Sequence, residues 1–142
     1  MRRTHTALAL SAALTLQSFA ADKAQPTPTI EHAELVQAIK EKRVWLLDCN
    51  GTESFKKGHI PGSLDFSTVG KDLAKSLPDD KGALVVAYCG SEKCPAYKKG
   101  AEAAAKLGFT NVKHYAGGLA GWIKSGEKLE VAEAPKAEKT EK

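Results

Sequence analysis

The chain alternates short, continuously apolar segments with segments of helical spacing, and this alternation constrains its fold more than any other feature. The apolar segments are residues 44–48 (VWLLD) and 83–88 (ALVVAY), and a further short strand is expected over residues 112–115 (VKHY). The segments of helical spacing are residues 31–40, 71–77, 97–107 and 119–124. Uninterrupted apolar strands are typical of strands buried on both faces, and strands separated by helices pair in parallel. The pattern predicts an α/β domain with helices on both faces of a parallel sheet.

The start of the chain has a different character. Arg2 and Arg3 follow Met1, residues 7–16 form an apolar run, and Ser18-Phe19-Ala20 come soon after it. A basic start, a short apolar run and small residues at a cleavage site are typical of a secretory signal peptide. We therefore predict a signal peptide over residues 1–20, cleaved after Ala20. The alternative is an apolar N-terminal helix of the folded domain.

The remaining boundaries follow from polar composition. Residues 21–29 (ADKAQPTPT) are polar with two prolines, which predicts a linker. Residues 127–142 are rich in Lys, Glu and Ala and predict a charged, flexible tail. One folded domain is thus expected over residues 30–126.

The charge and hydropathy of the mature chain exclude two function classes. Loss of the signal peptide lowers the formal charge from +4 to +2, because two arginines and no acidic residue are removed. So mild a balance argues against nucleic acid as a partner. No internal stretch is long and apolar enough to span a bilayer, so no membrane association is expected after signal removal. The predicted localisation is export, into the periplasm.

Three cysteines, Cys49, Cys89 and Cys94, bear on the chemistry of an exported chain. An odd number means at least one free thiol or an intermolecular bond, and three are too few for a disulfide scaffold. Cys49 follows Asp48 at the end of a predicted strand. We expect Asp48 to cap local structure there, and Cys49 to be buried and inert on the opposite face of the sheet.

Cys89 comes directly after the predicted strand 83–88, and Pro95 opens the next helical segment. The residues between them are Gly90, Ser91, Glu92, Lys93 and Cys94. Ligands bind beyond the carboxyl ends of strands in open α/β sheets, and Pro95 suits the first position of a helix. Loop amides and a helix N-terminus that converge on one point stabilise an anion. We predict that Cys89 is a reactive thiol with a pKa below the ordinary value of about 8.5, and that residues 90–94 bind an anionic substrate. The alternative is that Cys89 is a small buried hydrophobe at a strand end.

An ordered set of short motifs resembles the rhodanese-like domain family of sulfurtransferases. The set is Asp48, Phe55, Gly58-His59-Ile60-Pro61-Gly62, Tyr88-Cys89, Gly108-Phe109, Asn111-Val112, Gly117-Gly118 and Trp122. The resemblance covers residues 30–126. It implies a five-stranded parallel sheet with helices on both faces, and transfer of sulfane sulfur through a persulfide on Cys89. The implied substrates are a small sulfur-donor anion such as thiosulfate and a thiol or cyanide-type acceptor, with no cofactor.

Some positions depart from the family pattern. Asn50 stands where many members carry Arg, and Gly90 and Ser91 stand where many carry a cation, so Lys93 is the only cation in the loop. These departures motivate a second hypothesis from another class. In it the domain is a periplasmic sulfur carrier or thiol-redox binding module, with a dedicated protein partner and little turnover of its own. In the first hypothesis Lys93 helps to bind the donor.

The length of the cysteine loop stays open. Counting from Cys89 to Cys94 gives the six residues that the resemblance associates with sulfurtransferases, whereas counting back from Gly108-Phe109 adds about two. Longer loops in this superfamily go with phosphatases and arsenate reductases. Pro95 occupies the position of the Arg on which those enzymes rely, so phosphoryl transfer is not expected.

Cys94 is a candidate resolving thiol. It lies five positions after Cys89, on a loop that is expected to curl around the first sulfur, and Cα atoms about 6 Å apart permit a disulfide. Such a bond would stop sulfur transfer or release sulfur from the persulfide as hydrosulfide. The alternative is that Cys94 caps the following helix and packs inward.

The remaining candidate residues favour structural roles. His59, in the predicted turn 58–62, is expected to form hydrogen bonds rather than to act as a base. His114 falls in a predicted strand, and Trp122 is expected to close the domain. The Cys89–Cys94 spacing is loose for zinc, so no metal is expected.

Overall fold

The computed structural model describes residues 26–132 of the chain, and over this range the predicted α/β class is confirmed. The strands are β1 Val44–Asp48, β2 Ser63–Asp65, β3 Leu84–Tyr88 and β4 Val112–His114. They pair in the order β2-β1-β3-β4, and every pair is parallel. The central strands β1 and β3 therefore end side by side, with Asp48 opposite Tyr88.

Within residues 26–132 the sheet has four strands, so the expectation of five was wrong. The segment before the first helix contacts the free edge of β4 through an isolated parallel bridge between Thr29 and His114. The His114 amide donates to the Pro28 carbonyl at 2.7 Å, and the Ile30 amide donates to the His114 carbonyl at 2.9 Å. Pro28 has no amide hydrogen to extend the ladder, and the chain turns into a helix at His32, so the pairing stops at one bridge. The last residues of the predicted linker are thus docked on the sheet.

Helices separate the strands and cover both faces of the sheet. They are α1 His32–Lys40, α2 Thr52–Lys57, α3 Phe66–Val69, α4 Leu73–Ser76, α5 Tyr97–Lys106 and α6 Gly118–Lys124, with a 3₁₀ turn at Gly70–Asp72. Among the described residues no helix is long and apolar enough to cross a membrane.

The sequence pattern located the elements that are rich in apolar residues and missed three short ones that are not. The bounds of β1 are as predicted, and those of β3, β4, α1, α5 and α6 each differ by one residue at one end. The helices α2 and α3 and the strand β2 were not predicted, because each contains only one or two large apolar residues and so shows neither an apolar run nor helical spacing. The single helix predicted over residues 71–77 is instead the 3₁₀ turn followed by α4.

Two apolar clusters lie on opposite faces of the sheet. The first packs α1 and α6 against one face and contains Leu35, Leu46, Val86, Tyr88 and Trp122. The second packs α4 and α5 against the other and contains Leu47, Leu73, Val85, Ala87 and Ala104. Alternate residues of β1 and β3 enter opposite clusters, as expected for strands buried on both faces.

Helix α5 lies close against the sheet because Gly100 has no side chain. A Cβ placed on Gly100 would lie 2.8 Å from Sγ of Cys49 and 3.5 Å from Cβ of Ala87. Cys49 therefore packs beneath α5, on the face opposite Asp48 as predicted, but it is half-buried rather than buried, because it also lines an open cleft. Burial raises the pKa of the Cys49 thiol to about 12, so this thiol stays protonated near neutral pH.

The segment that follows α6 returns to the domain. Leu129 packs against the first cluster. Glu130 forms an antiparallel bridge with His59, with backbone hydrogen bonds of 2.9 Å in both directions. The tail predicted from residue 127 is therefore not free at its start. Its part beyond residue 132, like the predicted signal peptide, lies outside the described residues.

Candidate active site

The cysteine loop leaves the carboxyl end of the central strand β3, where the sequence placed it. Cys89 is only 2% exposed, whereas Cys94 is half-buried. Helix α5 begins at Tyr97, so the connection runs over residues 89–96, which matches the longer of the two predicted lengths. Pro95 is not the first residue of the helix as expected. Pro95 lies in a turn just before the N-cap residue Ala96, and the Pro95 carbonyl accepts from the Lys98 amide at 3.1 Å.

Cys89 and Cys94 are joined by a disulfide, with their Cα atoms 6.0 Å apart. The pairing closes a loop within one connection of the fold. Cys49 is the free cysteine of the described residues and lies under α5. The structure thus shows the oxidised loop. Whether Cys94 acts as a resolving thiol is a question of reactivity, and that role stays a prediction.

The N-terminus of α6 holds the start of the cysteine loop. The Leu119 amide donates to the Cys89 carbonyl at 2.8 Å, and the Ala120 amide donates to the Gly90 carbonyl at 2.9 Å. Helix N-termini leave their first amides without intrahelical acceptors, and here the loop carbonyls supply them. Because the C=O and N–H of a trans peptide point in opposite directions, the amides of Gly90 and Ser91 are turned away from α6.

This arrangement leaves loop amides available for an anion. Within residues 26–132 the amides of Gly90, Ser91, Glu92 and Lys93 donate to no backbone or side-chain acceptor. The Cys94 amide differs, since it donates to the Ser91 carbonyl at 3.1 Å. The predicted amide set 90–94 is therefore reduced to residues 90–93. Successive free amides favour negative charge, such as a thiolate, a persulfide or an anionic donor.

Gly118 is a site residue whose structural reason the sequence did not reveal. Its φ is +59°, and an added Cβ would lie 2.5 Å from the Cys89 carbonyl oxygen and 2.9 Å from the Ser91 nitrogen. Only glycine permits both this left-handed conformation and this approach. The Gly117-Gly118 pair was noted in the sequence, but spacing along the chain could not show that Gly118 contacts the cysteine loop.

Asn50 faces the loop from the end of the neighbouring strand β1. A Cβ on Gly90 would lie 3.0 Å from the Asn50 Oδ1 atom. The Asn50 Nδ2 atom is buried and has no hydrogen-bond partner within the described residues. Beside it opens a cleft of about 470 Å³, whose lining includes Cys49, Asn50, Ala96, Lys71 and Lys99. Lys93, the cation inside the loop, is exposed to solvent.

Asp48 anchors a buried polar network behind the loop. Its Oδ1 atom accepts from the Asn50 amide at 2.7 Å, which confirms the predicted capping role. Its Oδ2 atom accepts from the Tyr88 hydroxyl at 2.7 Å, and that hydroxyl accepts from the Ile60 amide at 3.1 Å. Burial, and then the Asp48 carboxylate, raise the pKa of Tyr88. The network ties the ends of β1 and β3 to the turn containing Ile60.

The histidines and Trp122 occupy structural positions. His59 stacks on Phe55 with ring centroids 3.6 Å apart, and its Nδ1 atom lies 2.8 Å from the Phe55 carbonyl oxygen. His114 stacks on Tyr97, and burial lowers the pKa of His114. Trp122 is buried, and its Nε1 atom donates to the Lys128 carbonyl at 2.9 Å, closing the domain as predicted.

The parallel sheet with helices on both faces and a cysteine loop at the end of a central strand place the chain in the α/β class. Comparison with known proteins identifies its family within that class. The model of the rhodanese-like domain family matches residues 31–125, so the chain belongs to this family. No curated protein matches the chain.

Solved structures share the fold. The BH2092 protein of Bacillus halodurans is 28% identical with a TM-score of 0.63, over 74% of this chain and 77% of that one. SseA of Escherichia coli, described as a 3-mercaptopyruvate sulfotransferase, is 16% identical with a TM-score of 0.61, over 77% of this chain and 52% of that one. The human single-domain sulfurtransferase TSTD1 is 21% identical with a TM-score of 0.55, over 70% of this chain and 97% of that one.

Proposed function

We propose that the protein is a sulfurtransferase that carries sulfane sulfur as a persulfide on Cys89. The observation that carries the proposal is the position of Cys89 at the carboxyl end of β3, followed by the unpartnered amides of Gly90, Ser91, Glu92 and Lys93. Membership of the rhodanese-like family and the two named sulfurtransferases of the same fold support it. The active form is the reduced one, because the disulfide occupies the Cys89 sulfur.

The proposed donor is thiosulfate or a related anion. The Cys89 thiolate attacks the outer sulfur of the donor, the sulfur–sulfur bond of thiosulfate breaks, and sulfite leaves with the electron pair. A nucleophilic acceptor then attacks the terminal sulfur of the persulfide and returns Cys89 as a thiolate. The loop amides stabilise a negative charge in both states, and the exposed Lys93 attracts the donor.

The test is persulfide formation by the reduced protein. After reduction and removal of the reductant, thiosulfate should release sulfite from the wild type, and in the Cys94→Ala variant, which cannot form the disulfide, it should also add the mass of one sulfur to the peptide containing Cys89. Addition of cyanide should then produce thiocyanate. Cys89→Ser should do neither, while Cys49→Ala, which removes the thiol under α5, is the matched control. Thiocyanate production by Cys89→Ser at the wild-type rate would disprove the role of Cys89.

A carrier function is the second candidate, and the uncharged Asn50 beside the loop favours it. The carrier would accept sulfur from a dedicated periplasmic protein and turn over small donors slowly. In the Cys94→Ala variant, a persulfide mass with negligible thiocyanate turnover would support the carrier, and rapid turnover would support the enzyme. The proposed setting is the periplasm, with neither nucleic acid nor membrane as a partner. Cell fractionation and the N-terminal sequence of the mature protein test that setting.

A further inference from the structure

The two sulfurs of the Cys89–Cys94 pair belong to one loop, and this bears on what happens to the sulfur that Cys89 carries. The Cα atoms are 6.0 Å apart and the disulfide forms within residues 89–96. Helix α6 holds the carbonyls of Cys89 and Gly90, so the first cysteine is fixed by its neighbours. Cys94 lies at the far end of the same loop and needs no other element of the fold to reach Cys89.

We propose that Cys94 is the first acceptor in the reaction and that the domain releases sulfide. This inference rests on the proposed function, because it starts from the Cys89 persulfide. The Cys94 thiolate attacks the Sγ atom of Cys89, and the bond between Sγ and the outer sulfur breaks. The outer sulfur leaves with the electron pair as hydrosulfide, and the proton that hydrosulfide carries is the one lost from the Cys94 thiol. The sulfane sulfur is reduced to sulfide while the two cysteine thiols are oxidised to the disulfide, so this step needs no external oxidant.

The disulfide must then be reduced, and the exposure of the two cysteines decides which sulfur is attacked. Cys89 is 2% exposed, whereas Cys94 is half-buried. An incoming thiolate therefore attacks Sγ of Cys94, and Cys89 leaves as a thiolate beside the free loop amides. A leaving thiol of low pKa departs faster, which favours the same direction. The result is a mixed disulfide on Cys94 and a Cys89 ready to attack a donor.

This chemistry identifies the class of partner. The mixed disulfide is resolved by a second thiol of the reductant, so the partner is a protein with two neighbouring cysteines, a dithiol oxidoreductase. Over the full cycle thiosulfate and a dithiol give sulfite, hydrosulfide and a disulfide, with the two electrons supplied by the dithiol. The domain would thus couple a sulfane donor to the thiol-reducing system of its compartment.

The first experiment follows a single turnover without any added acceptor. Reduced protein is mixed with thiosulfate, and sulfite, hydrosulfide, free thiols and intact mass are measured. The wild type should release sulfite and hydrosulfide in equal amounts and lose the free thiols of Cys89 and Cys94. Cys94→Ala and Cys94→Ser should release sulfite but hold the sulfur as a persulfide, with at least tenfold less hydrosulfide. Cys49→Ala should match the wild-type stoichiometry.

The outcomes separate this inference from the proposed function. Sulfite release with equal hydrosulfide from wild type and both Cys94 variants would overturn the role of Cys94 and leave the Cys89 persulfide intact. A wild-type protein that accumulates persulfide without forming the disulfide would do the same. Absence of sulfite release from the wild type would overturn both. Circular dichroism shows whether each variant is folded. The Cys94→Ser variant tests the same loss of the thiol with a side chain closer in size to cysteine than alanine.

The second experiment tests the direction of reduction. Oxidised wild-type protein is incubated with a thioredoxin-type protein whose second active-site cysteine has been replaced by serine, which traps the mixed disulfide. Peptide mapping should find the adduct on Cys94. An adduct on Cys89, or none under conditions that reduce a small-molecule disulfide, would overturn the proposed partner class and direction.

Discussion

The α-carbon of Gly118 approaches Cys89 so closely that a side chain at position 118 would collide with the cysteine loop. An added Cβ would lie 2.5 Å from the Cys89 carbonyl oxygen, and the φ of Gly118 is +59°. The contact allows the next two amides of α6 to bind the carbonyls of Cys89 and Gly90. It is therefore the relationship that positions the loop on the fold.

Gly118→Ala should destabilise the domain and impair persulfide formation. The left-handed conformation alone costs an alanine about 1–2 kcal/mol, and the collision with the Cys89 carbonyl adds to this loss of unfolding free energy. Urea denaturation and the rate of sulfite release from thiosulfate measure the two effects. Gly121→Ala is the matched control in the same helix, because its Cβ would meet only the Tyr115 hydroxyl, at 3.6 Å. Equal stability of the two variants would contradict the argument.

Cys49 should react with alkylating reagents far more slowly than reduced Cys89. Burial raises its pKa to about 12, so the thiolate fraction of Cys49 increases about tenfold for each unit of pH between 7 and 9. The alkylation rate of the Cys49 peptide, measured by mass spectrometry, should follow that slope. In urea the rate should rise to that of an ordinary thiol. A rate for the folded protein that levels off below pH 9 would be inconsistent with the raised pKa.

Tyr88→Phe should lower the unfolding free energy by about 1–3 kcal/mol, the cost of leaving buried hydrogen-bonding groups without a partner. The hydroxyl of Tyr88 donates to Asp48 and accepts from the Ile60 amide, and the whole side chain is buried. Denaturant titration measures the change. Tyr97→Phe, which keeps the ring that stacks on His114, is the control and should change stability much less. If Tyr88→Phe is as stable as the wild type, the network does not hold the strand ends together.

Asn50→Arg should lower the KM for thiosulfate several-fold. Asn50 lies next to Gly90 beside an open cleft, so a guanidinium there would add a positive charge near the anion-binding amides. Increasing the ionic strength should reduce the gain, because salt screens partly exposed charges. Asn50→Gln lengthens the side chain without charge and should not lower KM. A salt-independent gain, or the same gain with Gln, would rule out the electrostatic explanation.

The amino-acid sequence by itself determined the class of fold and the position of the reactive thiol. A continuous apolar run and the helical spacing of apolar residues can both be recognised in the sequence alone. This is why β1, β3 and α5 were predicted to within one residue. Cys89 follows the most apolar strand, and the carboxyl end of a parallel strand is where such folds bind ligands. Cys94 could be recognised as a partner because it is close in the chain.

Tertiary structure alone decided the features that depend on contacts between distant segments. No fifth strand forms at the edge of β4 within the described residues, because Pro28 lacks an amide hydrogen and α1 starts at His32. The free amides of Gly90 to Lys93 could not be assigned until α6, which begins nearly thirty residues later, was seen to bind the loop carbonyls. The polar link between Asp48 and Tyr88 spans forty residues of chain. Local periodicity carries no information about such pairs, because they are set by how the helices pack on the sheet.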